Sequence, residues 1–156
     1  MSGGKAQGFS SAILNLIFQA TTITVTTPSG SGQLAINGTS GQPTQLWVSL
    51  HTSSPGASGN QSTNEAAYPS YARQSVVRSS SGFTTSSGGS AVQFVSNLSF
   101  PTSTGSPSET ETYFGIGTDS STAGTLLYFG PLSSSIAVTS AGITPQLTTT
   151  TSISEA

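Results

Sequence analysis

The sequence predicts a mainly β fold, an antiparallel β-sandwich or barrel-like domain with one short N-terminal α-helix. Three observations lead there. Serine (32 residues) and threonine (24 residues) fill more than a third of the 156 positions. Threonine, valine and isoleucine favour pleated backbone, while serine and glycine favour turns. Short apolar runs recur between Gly-, Ser- and Pro-rich stretches, and helical spacing of apolar residues occurs only near the N-terminus.

The elements follow in order. Residues 1–8 are small and polar. Ser10 or Ser11 could supply an N-cap hydroxyl to the run at 12–20, where Ile13, Leu16, Ile17 and Ala20 follow i, i+3, i+4, i+7 spacing and Phe9 lies one turn earlier. Lys5 before a short apolar run also suits a secretory signal, but Asn15 interrupts the run and Ala20-Thr21-Thr22 is a poor cleavage site. The adopted reading is about three turns of amphipathic helix. Residues 22–27 then alternate threonine with Ile23 and Val25, residues 28–32 break the pattern, and a run at 33–36 ends in Asn37-Gly38, a type I′ turn pair.

The clearest period-2 strand follows, with Leu46, Val48 and Leu50 on one face and Trp47, Ser49 and His51 on the other. A polar loop runs over 52–70. Further strands are expected at 72–78, 91–95, 98–100, 111–117, 125–130, 136–138 and 143–151, with loops at 79–90 and 102–108. The expected organisation is an arm and helix over 1–21, acting as a docking element, and a β-sandwich domain over 22–156. The expected core comprises Leu46, Val48, Leu50, Val77, Phe94, Phe114, Ile116, Leu126 and Tyr128.

Composition excludes several functions. Charged residues make up 5% of the chain, against about 25% in an average soluble domain. Three basic residues (Lys5, Arg73, Arg78) and a net charge of −2 cannot neutralise a run of phosphates, so no nucleic-acid partner is expected. No apolar stretch approaches the roughly 18 residues of a membrane helix, so no membrane partner is expected. Without cysteine there is no disulfide frame and no thiolate metal site. So little charge leaves little repulsion against self-association, which suits a protein packed in an assembly.

Chemistry is sparse. His51 is the only histidine, and the elbow G-x-S-x-G is absent, so no catalytic residue is assigned. Glu109 and Glu111, two apart, would share one strand face and are read as a solvated strand entrance. Asp119 sits in a turn without the further carboxylates of a calcium loop, so neither metal nor cofactor is expected. One constellation stands out: Glu65, Tyr68, Tyr71 and Arg73 fall within nine residues of a chain with eight charged side chains. An arginine beside a carboxylate and aromatic rings can pair bidentately and stack. The adopted reading is an ion pair that anchors the long loop; the alternative is a ligand patch for glycan.

The segment Leu46-Trp47-Val48-Ser49-Leu50-His51-Thr52, followed by Pro55-Gly56, Glu65, Tyr68 and Tyr71-Ala72-Arg73, resembles a family of small tailed-bacteriophage proteins commonly labelled phage tail fibre protein. Phe114-Gly115-Ile116-Gly117-Thr118, Leu126-Leu127-Tyr128-Phe129-Gly130 and Ile143-Thr144-Pro145-Gln146-Leu147 extend the resemblance over most of the chain. Ser70 stands where that family often has glycine, and residues 22–45 look longer and more polar than is usual there. The resemblance implies a non-enzymatic structural component of the virion, made in the bacterial host cytoplasm. Its expected partners are other virion proteins and further copies of itself, with a trimer as one candidate. Phe9, Ile13, Leu16 and Ile17 would form the docking face. Two alternatives are a capsid decoration (cement) protein and a receptor module binding host-surface glycan through Trp47, Tyr68 and Tyr71.

Overall fold

The computed structural model describes residues 7–21, 23–27, 30–34, 43–85 and 91–154. Among them, helix α1 (Gln7–Gln19) precedes strands β1 (Ile23–Thr27), β2 (Gly30–Leu34), β3 (Gln45–His51), β4 (Gln74–Val77) and β5 (Phe83–Thr85). Strands β6 (Ala91–Phe94), β7 (Leu98–Ser99), β8 (Glu109–Gly117), β9 (Leu126–Val138), β10 (Gln146–Leu147) and β11 (Ser152–Ser154) follow. The paired strands are antiparallel. This is the predicted class, mainly β with one short helix near the N-terminus. The chain divides into two compact units, one from 1–44, 77–96 and 149–156, the other from 45–76 and 97–148.

In the first unit α1 lies against β5 and β6 of the three-stranded sheet β11-β6-β5. Ser10, Leu14 and Phe18, spaced four apart, form a buried row along the helix, and Leu16 is buried too. The Phe18 ring meets Phe83 edge-on with centroids 4.9 Å apart, and Phe83 contacts Phe94 at 5.7 Å. Ile153 on β11 is buried opposite Val92 on β6. The helix therefore starts earlier than expected, and Ser10 and Ser11 lie inside it instead of capping it. Of the expected apolar face, Phe9 is 44% exposed and Ile13 and Ile17 are half-buried.

Helix α1 ends where Ala20 takes a left-handed φ of 56° and Thr21 N donates to Asn15 O. Its last carbonyls, which lack partners within a helix, are met by Arg78: Nε donates to Ile17 O at 2.5 Å and Nη2 to Leu16 O at 2.6 Å. A cation at this end also complements the helix dipole. Strand β5 lies inside the stretch expected to be a loop, because Phe83 pairs opposite Phe94 and is buried with it. Strands β1 and β2 pair from Ile23 opposite Leu34 to Thr27 opposite Gly30. Pairing thus begins within the expected break at 28–32, and Asn37-Gly38 lies outside the described residues.

The second unit holds the four-stranded sheet β4-β3-β8-β9 and the short pair β10-β7. Strand β3 pairs with β8 from Trp47 opposite Gly117 to His51 opposite Tyr113. Leu46, Val48 and Leu50 are buried with Phe114 and Ile116, as the alternation predicts. Ser49 and His51 are fully buried as well. The two segments expected at 125–130 and 136–138 form one strand, β9, with an irregularity between the pairs Glu111–Ile136 and Tyr113–Pro131. The strand expected over 143–151 is reduced to β10, and β11 forms beyond it.

Three expected core residues are corrected. Val77 is 43% exposed, and Leu126 and Tyr128 are half-buried. All three lie on β4 or β9, the edges of the sheet, where neighbours are fewer. In their place Leu14, Phe18, Tyr68, Phe83, Val92, Phe100, Val138, Leu147 and Ile153 are buried.

Phe18→Ala removes a fully buried ring from the first unit, and we expect a loss of about 3–5 kcal/mol. Urea unfolding followed by circular dichroism checks this; a loss below about 1 kcal/mol would mean that the ring is not core.

Candidate functional site

The loop expected over 52–70 runs on to Arg73, because β4 begins only at Gln74, and a loop of that length needs anchors. Backbone pairing supplies the first. Thr52 N donates to Asn64 O and Ala66 N to Leu50 O, both at 2.9 Å, and His51 forms a bridge with Glu65. The second is the ion pair expected from sequence. Arg73 Nε donates to Glu65 Oε1 at 2.6 Å and Nη2 to Oε2 at 2.7 Å, a bidentate fork. Arg73 Nη1 donates to Asp119 O at 2.8 Å and Nη2 to Ser62 Oγ at 3.2 Å. Arg73 is 5% exposed.

Tyr71 completes this network. Its hydroxyl accepts from Leu50 N and donates to Glu65 Oε1, each at 3.0 Å. Burial, then the adjacent Glu65 carboxylate, pushes the Tyr71 phenol well above its usual range, so it stays a donor. Its ring stacks on Phe100 and meets Tyr68 edge-on at 5.3 Å. Tyr68 is 1% exposed, and its hydroxyl donates to Pro101 O. The structure thus brings Glu65, Tyr71 and Arg73 into one bonded cluster with Tyr68 packed beside it. A cavity of about 240 Å³ borders the cluster, lined by Glu65, Ala66, Tyr71, Ala72, Arg73 and two serines, Ser120 and Ser121.

Residues 61–63 of the loop cover the polar face of β3. His51 Nδ1 lies 2.9 Å from Thr63 O, and a carbonyl can only accept, so Nδ1 carries the hydrogen. Nε2 is then an acceptor and takes the Ser49 hydroxyl hydrogen at 2.8 Å. A serine and a histidine in hydrogen-bond contact resemble part of a hydrolase site, but here a backbone carbonyl replaces the orienting carboxylate. Both side chains are wholly buried. Burial holds the His51 pKa below its ordinary value and keeps the ring neutral.

Gln61, which no sequence motif marks, is also fully buried. Its Nε2 donates to Trp47 O at 3.2 Å, and its Oε1 accepts from Asp119 N at 2.9 Å. These contacts explain the glycines of Phe114-Gly115-Ile116-Gly117. A Cβ on Gly115 would stand 2.7 Å from His51 Nε2, and one on Gly117 would collide with the Gln61 side chain. The loop lies directly on the β8 backbone.

Two acidic positions differ from expectation. Glu109 Oε1 accepts from Ala67 N at 2.8 Å and Tyr68 N at 2.6 Å. Glu111 is fully buried, so the solvated strand entrance is corrected: residues 67 and 68 lie over this end of β8. Burial, and then the neighbouring Glu109, pushes the Glu111 carboxyl up to about 8. Asp119 Oδ1 instead accepts from Ser121 N and Thr122 N, bonds that hold its carboxyl near 2. Among the described residues no three His, Cys, Asp or Glu side chains gather as a metal site.

A model of the family described as Podophage GP4 fiber I protein gp80 matches residues 33–153, more than three quarters of the chain. The chain belongs to this podophage fibre family. No curated protein matches it. As a member of a phage fibre family, the fibre protein is a virion component that contacts other virion proteins. The whole loop network of this fibre protein lies inside the matched region, and so do Gly115 and Gly117. Ser70 makes its turn without glycine. Tyr71 N donates to Tyr68 O across Pro69 and Ser70, and Ser70 takes a φ of 77°. That conformation costs an L-residue about 1 kcal/mol.

Arg73→Met should destabilise the fibre protein by about 3 kcal/mol, because Glu65 would lose its main partner in a buried setting. Adding Glu65→Gln should restore part of that loss in urea unfolding. Strict additivity of the two substitutions would count against a coupled anchor.

Proposed function

We propose that this fibre protein works by assembly alone, as a non-enzymatic building block made in the host cytoplasm and incorporated into the particle as a homo-oligomer. The carrying observation is where its charge goes. Of eight charged side chains, Glu65, Arg73, Arg78, Glu109 and Asp119 hold groups of the same chain, and Glu111 is buried. The other two, Lys5 and Glu155, lie outside the described residues. The described surface is therefore made mostly of hydroxyls, amides, glycines and scattered apolar groups, with half-buried Glu65, Arg78, Glu109 and Asp119 as its few charges. Contacts between copies then rest on apolar burial and neutral hydrogen bonds, with little charge to oppose them. A trimer is the proposed symmetry.

In this reading residues 1–21 are the docking element and 22–156 the β domain that carries it. The Ser10–Leu14–Phe18 row holds α1 to its own unit. Exposed Phe9, with half-buried Ile13 and Ile17, gives the helix a remaining apolar edge beside buried Leu16, and a neighbouring virion protein would cover that edge. The cluster of Glu65, Tyr68, Tyr71 and Arg73 acts as a loop anchor. An inaccessible Tyr68, and a Tyr71 hydroxyl bonded on both sides, favour that role over a sugar-binding platform.

Phe9→Asp tests the docking face without touching the buried row. Its circular dichroism and melting should match the native chain, while its amount in purified particles falls at least tenfold by quantitative mass spectrometry. Incorporation at the native level would remove the docking role. Salt tests the contacts between copies: oligomers should persist in roughly 1 M sodium chloride, where the Debye length is about 3 Å. Dissociation on adding salt, read by light scattering, would show that ionic contacts hold the copies together.

A further inference from the structure

Among the described residues, Glu111 Oε1 and Oε2 are the buried side-chain polar atoms that accept no hydrogen bond from an N–H or O–H group, and the partner open to the protonated form is the Glu109 carboxylate. Buried polar groups are almost always paired, so an orphaned carboxyl needs an explanation. Its surroundings are specific. Glu109 stands two residues away on the same face of β8, with Val138 and Ile136 of β9 opposite the two glutamates. Tyr68 is the titratable group that faces them from the loop, and it brings no positive charge. The described arginines are engaged elsewhere, Arg73 with Glu65 and Arg78 with the end of α1. A second negative charge at this place would have no counter-ion.

The two carboxyls are also unequal. Glu109 Oε1 already accepts two backbone N–H groups, from Ala67 and Tyr68, and so ties the loop to β8. Glu111 accepts none. A proton shared between the two carboxyls therefore resides on Glu111, the buried one, and is directed at half-buried Glu109.

We propose that Glu109 and Glu111 form a proton-operated latch: while Glu111 is protonated, Glu109 holds the loop at Ala67 and Tyr68, and ionisation of Glu111 releases it. The release is alkaline. The folded-state value of Glu111, about 8, lies above its ordinary 4.5. Its favourable contribution is complete below the unfolded value, declines as pH rises, and is gone above the folded value. Ionisation sets two like charges on one strand face, and the half-buried Glu109 side chain, pushed away from Glu111, gives up its bonds to Ala67 N and Tyr68 N.

The test uses the full chain. Carbon-13 NMR of the Glu111 carboxyl should show a midpoint at about pH 8, roughly 3,000-fold lower in proton concentration than the ordinary value of 4.5. Hydrogen exchange at Ala67 and Tyr68, corrected for the intrinsic pH dependence, should lose at least about tenfold in protection between roughly pH 6.5 and 9.5. In Glu111→Gln that protection should stay within about twofold over the same range. Glu111→Met, which needs no polar partner, serves if the amide variant does not fold. A Glu111 midpoint near the free value, or equal loss of protection in native and substituted chains, overturns the latch.

Discussion

The fold of the second unit depends on one constraint: β3 is an interior strand that must be shielded on both faces. Leu46, Val48 and Leu50 meet the apolar side, where burial against Phe114 and Ile116 is favourable by itself. The other side carries Ser49 and His51, and no further strand or helix element is needed to cover it. The long loop covers it, at the cost of burying polar groups that water would otherwise satisfy. Every such group near β3 is met from within. Thr63 O takes the His51 hydrogen, Trp47 O takes that of Gln61, and Asp119 O takes one from Arg73. Glycine at 117 leaves room for Gln61 of the loop, and glycine at 115 leaves room for the His51 and Ser49 side chains beneath it.

The same constraint accounts for the use of charge. A loop without regular structure loses conformational entropy on ordering that neutral hydrogen bonds offset only in part. Charge-assisted bonds are stronger, and a bidentate arginine also fixes direction. Glu65–Arg73 ties the second half of the loop to its end at β4, Glu109 ties Ala67 and Tyr68 between them to β8, and Arg78 closes the helix of the first unit. Charges placed this way are internal fasteners. They leave a surface with little repulsion between copies, which is a suitable surface for a fibre component and a poor one for a free monomer.

Much of this was legible in the sequence, and the gaps have physical causes. Alternation at 46–50 located β3 and its apolar face because one side of that strand meets only side chains. It could not reveal that Ser49 and His51 are buried, since polar residues at alternate positions look the same whether water or a bonded loop lies over them. The helix was visible, but Ile13, Leu14, Leu16, Ile17 and Phe18 place apolar groups around most of its circumference, so spacing alone did not select the Ser10–Leu14–Phe18 row. Val77, Leu126 and Tyr128 looked like core because sequence does not give strand order, and edge positions bury less. Strand β5 was hidden by its serine- and glycine-rich flanks. The Glu65–Arg73 pair was the easiest part of the site to find, because scarce charges close in sequence stand out against hydroxyls. Gln61 had no such contrast.

A surface so poor in charge brings a difficulty that the structure also answers. Edge strands invite further pairing, and proteins commonly guard them with lysine or glutamate. Strand β9 is an edge with no charged side chain, and its Leu127 and Phe129 are 37% and 39% exposed. Its guards are steric. Pro131 removes a backbone donor, and the ladder to β8 is broken between Pro131 and Ile136. An open-ended stack along such an edge would have to cross both interruptions. A chain built to assemble by neutral contacts therefore restricts where the next copy can attach by backbone geometry, since it keeps almost no charge with which to repel the wrong one.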